Sequence, residues 1–104
     1  MKTDNRLYDR IYLPEEKLLH CEGLGFAFEG KVGVVGLGGM FVRTDKSYPV
    51  GTVLPLRLHA DGEVVEADCI VRDITPEGFG VEFVKLRGAN EDYLKHILDR
   101  FRAA

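Results

Sequence analysis

The residues of this chain best suited to binding an anion are two arginines near its beginning, Arg6 and Arg10, spaced four positions apart. A guanidinium group presents a planar fork of donors that matches a phosphate or the O6/N7 edge of guanine, and its flat face can stack on a base. In a flexible arm this spacing lets both arginines contact one compact dianion. Taken alone, the pair is explained more simply as two exposed charges, because an RxxxR match is common by chance.

A second stretch that could shape a binding site is the apolar run at residues 32–42, which contains four glycines. β-Branched residues favour a strand, and glycine within a strand marks a bulge, a bend, or a close approach by a ligand or another backbone. The run predicts a bent strand of a small antiparallel barrel, and the alternative interpretation is the floor of a binding site. It is not a Rossmann or P-loop motif, since no helix pattern and no Lys-Ser/Thr ending follow it.

The other reactive side chains form no catalytic or metal-binding pattern. His20, His59 and His96 belong to different predicted elements and have no ligand spacing, so we expect no catalytic role for them. The one serine lies in a polar loop without the glycines of a nucleophile elbow. The adjacent acidic pairs at 15–16 and 91–92 are typical of a solvated surface rather than a cleft. The sequence therefore predicts no enzyme, no metal and no cofactor.

Length and composition favour one small globular domain. The chain has 104 residues, 45% hydrophobic and 30% charged, with a net charge of −3. A chain of this length can bury a modest core without metal or disulfide support, and its acidic balance argues against DNA or RNA as a partner. No apolar run approaches the roughly 20 residues of a membrane span, and no signal-peptide core follows Met1, so we expect a cytoplasmic protein without membrane insertion. Cys21 and Cys69 lack ligand spacing, which favours two buried, reduced thiols.

The elements that must position these residues follow from the hydrophobic pattern. Alternation of apolar and polar residues, or short apolar runs between turns, predicts a series of strands. These strands lie at residues 17–21, 26–28, 32–42, 54–58, 65–71 and 79–83, and a further apolar stretch at 11–13 is interrupted by Pro14. The Asp-Gly pair at 61–62 is a strong hairpin signal between two of them.

Near the end of the chain the period changes to that of a helix. Asn90 can cap the helix, and one apolar stripe follows it. The stripe consists of Tyr93, Leu94, Ile97, Leu98 and Phe101. We expect about three turns of helix packed over the sheet, and docking on a partner is the alternative use of this stripe.

The order of these motifs resembles the PilZ domain family, which binds the bacterial second messenger cyclic diguanylate (c-di-GMP). The family's RxxxR motif before its first strand is matched by Arg6 and Arg10, which precede Ile11-Tyr12-Leu13. Its second motif, (D/N)xSxxG, is matched at its end by residues 37–42, with Gly39 on the final glycine. Residues 49–58, 70–72 and 78–83 are similar to its later strands. The resemblance therefore covers nearly the whole chain.

The resemblance implies an all-β fold, a small antiparallel six-stranded β-barrel with one C-terminal α-helix. It implies a single PilZ-like domain over residues 1–104. Within that domain the N-terminal arm would comprise residues 1–10, the barrel about 11–86 and the helix about 90–102.

The resemblance also implies that Arg6, Arg10 and Gly39 contact c-di-GMP. The chain departs from the family pattern at Val34 and Gly36, which occupy the Asp/Asn and Ser positions of the second motif. Valine cannot hydrogen-bond a guanine, and glycine offers only its backbone. Two net hydrogen bonds are worth about 1–3 kcal/mol, which corresponds to roughly 5- to 150-fold in affinity.

Two functions follow from this pattern. In the first, c-di-GMP binds through the RxxxR arm, and the ordered arm relays the signal to an unidentified protein partner. In the second, the domain does not bind the ligand and acts as a protein-interaction adaptor in motility, pilus or exopolysaccharide regulation. The intact arginine pair favours the receptor, whereas Val34 and Gly36 favour the adaptor.

Overall fold

The structure is a computed structural model that describes residues 10–60, 62–87 and 90–103, without the side chains of 90, 91, 93, 102 and 103. Strands and one terminal helix account for most of these residues. The strands are β1 (Arg10–Tyr12), β2 (Leu19–Gly23), β3 (Glu29–Gly36), β4 (Gly39–Arg43), β5 (Val53–Ala60), β6 (Glu63–Thr75) and β7 (Gly78–Leu86). The helix α1 spans Asn90–Ala103, and a single 3₁₀ turn spans Glu15–Lys17.

Six of the strands close into a barrel. The order around the ring is β3-β2-β5-β6-β7-β4, and β4 pairs again with β3. Every neighbouring pair is antiparallel. The predicted six-stranded antiparallel barrel with one C-terminal helix is therefore confirmed.

The strand that follows the arginine motif is not part of the ring. The barrel was predicted to begin at about Ile11, but β1, the short strand that contains Ile11, pairs within the described residues only with β3. It shares an edge of β3 with β2, since β2 pairs with residues 29–32 and β1 with residues 34–36. Pro14, which has no N–H to donate, and the 3₁₀ turn after it separate β1 from β2.

The inward side chains of the strands fill the barrel. Along β5 and β6 buried and partly exposed residues alternate, as the period-two pattern predicts. Cys21 and Cys69 belong to this interior, and both are fully buried free thiols, as expected. Burial raises the pKa of each thiol from 9.0 to about 12.

The helix packs on the barrel with the predicted stripe. Leu94, Ile97 and Leu98 are at most 1% exposed, and Phe101 is partly buried against the same core. The main contacts of α1 with the strands are those with β1 and β6. The apolar stripe of α1 therefore packs against the core of the barrel. The side chain of Tyr93 is not among those that the structure describes. Within the described residues, no helix is both long and apolar enough to cross a membrane.

Two local predictions were wrong. The run at 32–42 is a hairpin rather than one bent strand, because β3 ends at Gly36 and β4 begins at Gly39. The expected bend exists inside β3, as a bulge between Val32 and Val34. The alternating phenylalanines at 26 and 28 lie in the connection before β3, where their rings stack with centroids 6.1 Å apart. Their alternation reflects packing against the core rather than a strand.

Candidate functional site

A cavity of about 370 Å³ lies on the outer face of the barrel, beside the β3–β4 hairpin. Its walls come from β1, β3, β4, β6 and β7. The lining residues are Arg10, Val34, Gly36, Gly38, Gly39, Met40, Phe41, Arg72, Asp73, Gly80 and Glu82. This volume is at the lower end of the range for small-molecule sites.

Strand register explains why residues distant in sequence meet here. Arg10 in β1 is paired with Gly36 in β3, and Val34 is paired with Phe41 in β4. Phe41 is in turn paired with Gly80 in β7. Because alternate residues of a strand share a face, these pairs form two neighbouring rows on the outside of the barrel, one with Arg10 and Gly36 and the other with Val34, Phe41 and Gly80.

Four of the sequence-predicted positions meet at this cavity. Arg10, Val34, Gly36 and Gly39 all line it. Arg6, the fifth position, lies outside the described residues. The two motifs, separated by more than twenty residues in the chain, are therefore adjacent in the fold.

Arg10 is one of two exposed arginines that line the cavity, and the other is Arg72. Its side chain forms no hydrogen bond or ion pair with another residue in the part of the chain that the structure describes. Other arginines of the barrel surface are held by carboxylates, such as Arg72 by Glu82 and Arg87 by Asp68. The guanidinium of Arg10 is thus available to a phosphate or a base.

The opposite wall of the cavity carries both charge signs. Arg72 donates from Nε to Oε1 of Glu82 at 2.8 Å. Asp73 is exposed and has no hydrogen-bond or ion-pair partner among the described residues. Carboxylate oxygens accept hydrogen bonds, so this wall suits the N–H groups of a base edge better than it suits phosphate.

Gly39 is required by the fold itself. A Cβ at this position would overlap the carbonyl oxygen of Val81, because β4 and β7 approach closely there. Glycine at this end of the motif is therefore explained without a ligand. Gly80 differs, since a Cβ there would lie 3.6 Å from Cβ of Asp73 and 3.7 Å from Cδ1 of Phe41, which are ordinary contacts.

Sequence reasoning did not assign Phe41, Arg72, Asp73, Gly80 or Glu82 to the site. The period-two pattern could have identified some of them, because Phe41 shares a face with Gly39. Likewise, residues 80 and 82 alternate with buried residues in β7. The same pattern places Arg72 on the outer face of β6 after buried Val71, whereas the bulge between Val71 and Asp73 shifts the register for Asp73.

A second cluster of polar side chains lies on β2 and β5. His20 is paired with His59, and their ring centroids are 5.3 Å apart. His59 Nε2 lies 2.8 Å from Oε2 of Glu22, which also accepts a hydrogen bond from Nη1 of Arg57 at 3.0 Å. The hydrogen bond with His59 is the largest cause of a lowered pKa of Glu22, and the hydrogen bond from Arg57 is the second. The sequence showed no ligand spacing because Glu22 and His59 are 37 residues apart.

The comparison with known families agrees with the fold. A family model described as the PilZ domain matches residues 4–100. No curated protein matches the sequence. The family match runs from before Arg6 into the terminal helix and includes every residue that lines the cavity. The chain belongs to the PilZ domain family.

Proposed function

We propose that this chain is a cytoplasmic c-di-GMP receptor module that binds its ligand weakly and relays the signal to a partner protein. PilZ domains are ligand-binding adaptor domains whose ligand is c-di-GMP. The observation that carries the proposal is Arg10. It is an exposed cation that lines the cavity together with Val34, Gly36 and Gly39, and unlike Arg72 it has no side-chain partner among the described residues.

The chemistry of the lining fits a guanine nucleotide. Arg10 contacts a phosphate or the O6/N7 edge of a guanine, and Arg6 adds a second guanidinium from the preceding arm. Phe41 is half-buried in the wall and offers its ring to a base, a contact worth about 1–3 kcal/mol. The cavity takes one guanine with its phosphate, and the remainder of the ligand lies outside it beneath the arm.

The affinity is reduced by the side chains at two lining positions. Val34 and Gly36 supply no side-chain hydrogen bond where the family pattern has Asp/Asn and Ser. Asp73 offsets part of this loss, because its carboxylate lines the same cavity and accepts N–H donors from the Watson–Crick edge of guanine.

The relay depends on the N-terminal arm. Contact between the arginines and the ligand orders the arm over the cavity, and this changes the surface that the domain offers to its partner. Tyr12, two residues after Arg10, is 73% exposed, so it belongs to the surface that such a change would alter.

Titration of the full chain with c-di-GMP, followed by calorimetry or NMR, tests the proposal. GTP serves as the control for simple anion binding. Arg10→Ala removes a charged contact worth about 1.5–3 kcal/mol and should weaken binding about tenfold or more. Arg87→Ala, which removes another exposed arginine that does not line the cavity, should leave the affinity unchanged.

The cavity is tested separately with Gly80→Ala. The added methyl group makes only ordinary contacts with the protein, so the variant should fold, while its methyl narrows the cavity and weakens binding. Absence of any response to millimolar c-di-GMP in the folded wild type would contradict the receptor function.

The alternative function is an adaptor that acts through protein contacts without c-di-GMP. The observation that favours it is the apolar and backbone-only character of the cavity at Val34 and Gly36. The adaptor function would be supported if the folded protein does not bind c-di-GMP and binds the same partner protein with and without the nucleotide.

A further inference from the structure

The structure assigns a binding site for a divalent transition-metal ion, Zn²⁺ being the best fit, to the outer face of β2 and β5. We propose that His20, His59 and Glu22 are its ligands and that a water molecule completes the coordination. Each residue offers one ligand atom, and these three atoms all lie within 4.8 Å of one another. This site is independent of the proposed c-di-GMP function.

The register of two antiparallel strands builds this cluster. His20 and His59 are directly paired, and Glu22 follows two residues later on the same face of β2. Successive outward residues of a strand are on one face, so all three side chains project from the barrel together. The inward neighbours Cys21 and Leu58 are buried in the core and hold this part of both strands in place.

The distances are close to those of a zinc centre. Zn–N and Zn–O bonds of about 2.0–2.2 Å in a tetrahedral arrangement separate ligand atoms by roughly 3.4 Å. Nε2 of His59 and Oε2 of Glu22 are already 2.8 Å apart. The rest of the adjustment is a side-chain rotation, which the half-buried environment of the three residues permits.

The donor set selects the class of ion. Two imidazole nitrogens and one carboxylate suit Zn²⁺, Ni²⁺ or Cu²⁺, whereas Ca²⁺ and Mg²⁺ require oxygen ligands. Three protein ligands and one open position are the composition of the His₂Glu zinc centres. To bind the ion, His59 must be the neutral tautomer that carries its proton on Nδ1, so that Nε2 presents its lone pair.

The surrounding charges accommodate a cation. Arg57 is held on one side by Oε2 of Glu66 at 2.9 Å and on the other by Oε2 of Glu22. Oε2 of Glu22 has more than one lone pair, so it can bind the ion while it still accepts the hydrogen bond from Arg57, which then acts as an outer-shell partner. The negative charge of Glu66 offsets the positive charge of Arg57, so the electrostatic repulsion between the guanidinium and the ion is reduced.

Zn²⁺ titration of the untagged full chain tests the proposal. Calorimetry should give one ion per chain, and Co²⁺ should produce the strong visible absorption of a tetrahedral site. In NMR spectra the imidazole signals of His20 and His59 should shift, while those of His96, exposed on α1, should not. This mapping uses the wild-type protein and does not depend on any variant folding.

Variants then identify the ligands. His59→Ala and His20→Gln should each weaken Zn²⁺ binding by more than the roughly 10- to 100-fold that loss of an outer-shell partner causes. His96→Ala is the matched control and should bind as the wild type does. The proposal is overturned if the wild type fails to bind Zn²⁺, if binding survives both ligand variants, or if it disappears in His96→Ala.

Discussion

At the scale of single residues, the two predicted binding motifs have different structural explanations. Gly39 fits the family motif, but the close approach of Val81 already excludes a side chain there. Arg10 has no comparable structural reason, because its side chain lacks a partner among the described residues and lies at the edge of a cavity. The case for a ligand therefore depends on Arg10 far more than on the glycine.

The two residues that depart from the family motif can be tested by restoring the polar residues. Val34→Asp with Gly36→Ser should tighten c-di-GMP binding by roughly 5- to 150-fold, since two net hydrogen bonds are worth about 1–3 kcal/mol. Gly36 lies within β3 and is not among the glycines with positive φ, so its backbone accepts a serine. Calorimetry of the double variant against the wild type measures the gain.

The control for this rescue must carry the same added charge elsewhere. Val53→Asp places it at a 58% exposed position in β5 that does not line the cavity. We expect the affinity of this control to equal that of the wild type. An equal affinity in the folded double variant would mean that positions 34 and 36 do not contact the ligand.

At the scale of the elements, the sequence predicted most strands and the helix but not how they join. Alternation predicted the buried faces of β5, β6 and β7, and the change of period after residue 90 predicted α1. The separation of β1 from the ring and the break between Gly36 and Gly39 depend on pairing partners. The cluster of His20, Glu22 and His59 has the same origin, since strand register alone brings it together.

The packing of α1 gives a stability prediction. Ile97 is 1% exposed, and replacing a buried isoleucine with alanine costs about 2–5 kcal/mol through lost burial and the remaining cavity. Ile97→Ala should therefore lower the urea midpoint of unfolding clearly. Lys95→Ala, at an exposed position of the same helix, should change it little. Equal midpoints for both variants would show that the helix does not stabilise the barrel.

At the scale of the whole molecule, the barrel has an apolar interior and carries two candidate binding sites on its outer surface. The interior is apolar and contains both thiols, whereas the cavity and the histidine cluster lie outside, on different strands of the ring. None of the three proposed metal ligands lines the cavity. We therefore expect c-di-GMP and Zn²⁺ to bind without competing.

The buried thiols make the stability of the barrel depend on pH in the alkaline range. Burial raises the pKa of Cys21 and Cys69 from 9.0 to about 12, so the unfolded chain ionises first as the pH rises. The folded state thus keeps its full advantage below about pH 9 and loses it progressively towards pH 12. Urea unfolding at a series of pH values should display this decline.

Removing both thiols isolates their contribution from that of other groups that titrate at alkaline pH. The variant with Cys21→Ala and Cys69→Ala leaves small voids and should be less stable at neutral pH. Its stability should nevertheless fall less steeply with pH than that of the wild type.

In the native wild type an alkylating reagent should react only as the barrel opens, because the thiolate is the reactive form and both sulfurs are buried. Rapid alkylation in the absence of urea, or an identical pH slope in the double variant, would contradict the burial of the thiols that the closed ring produces.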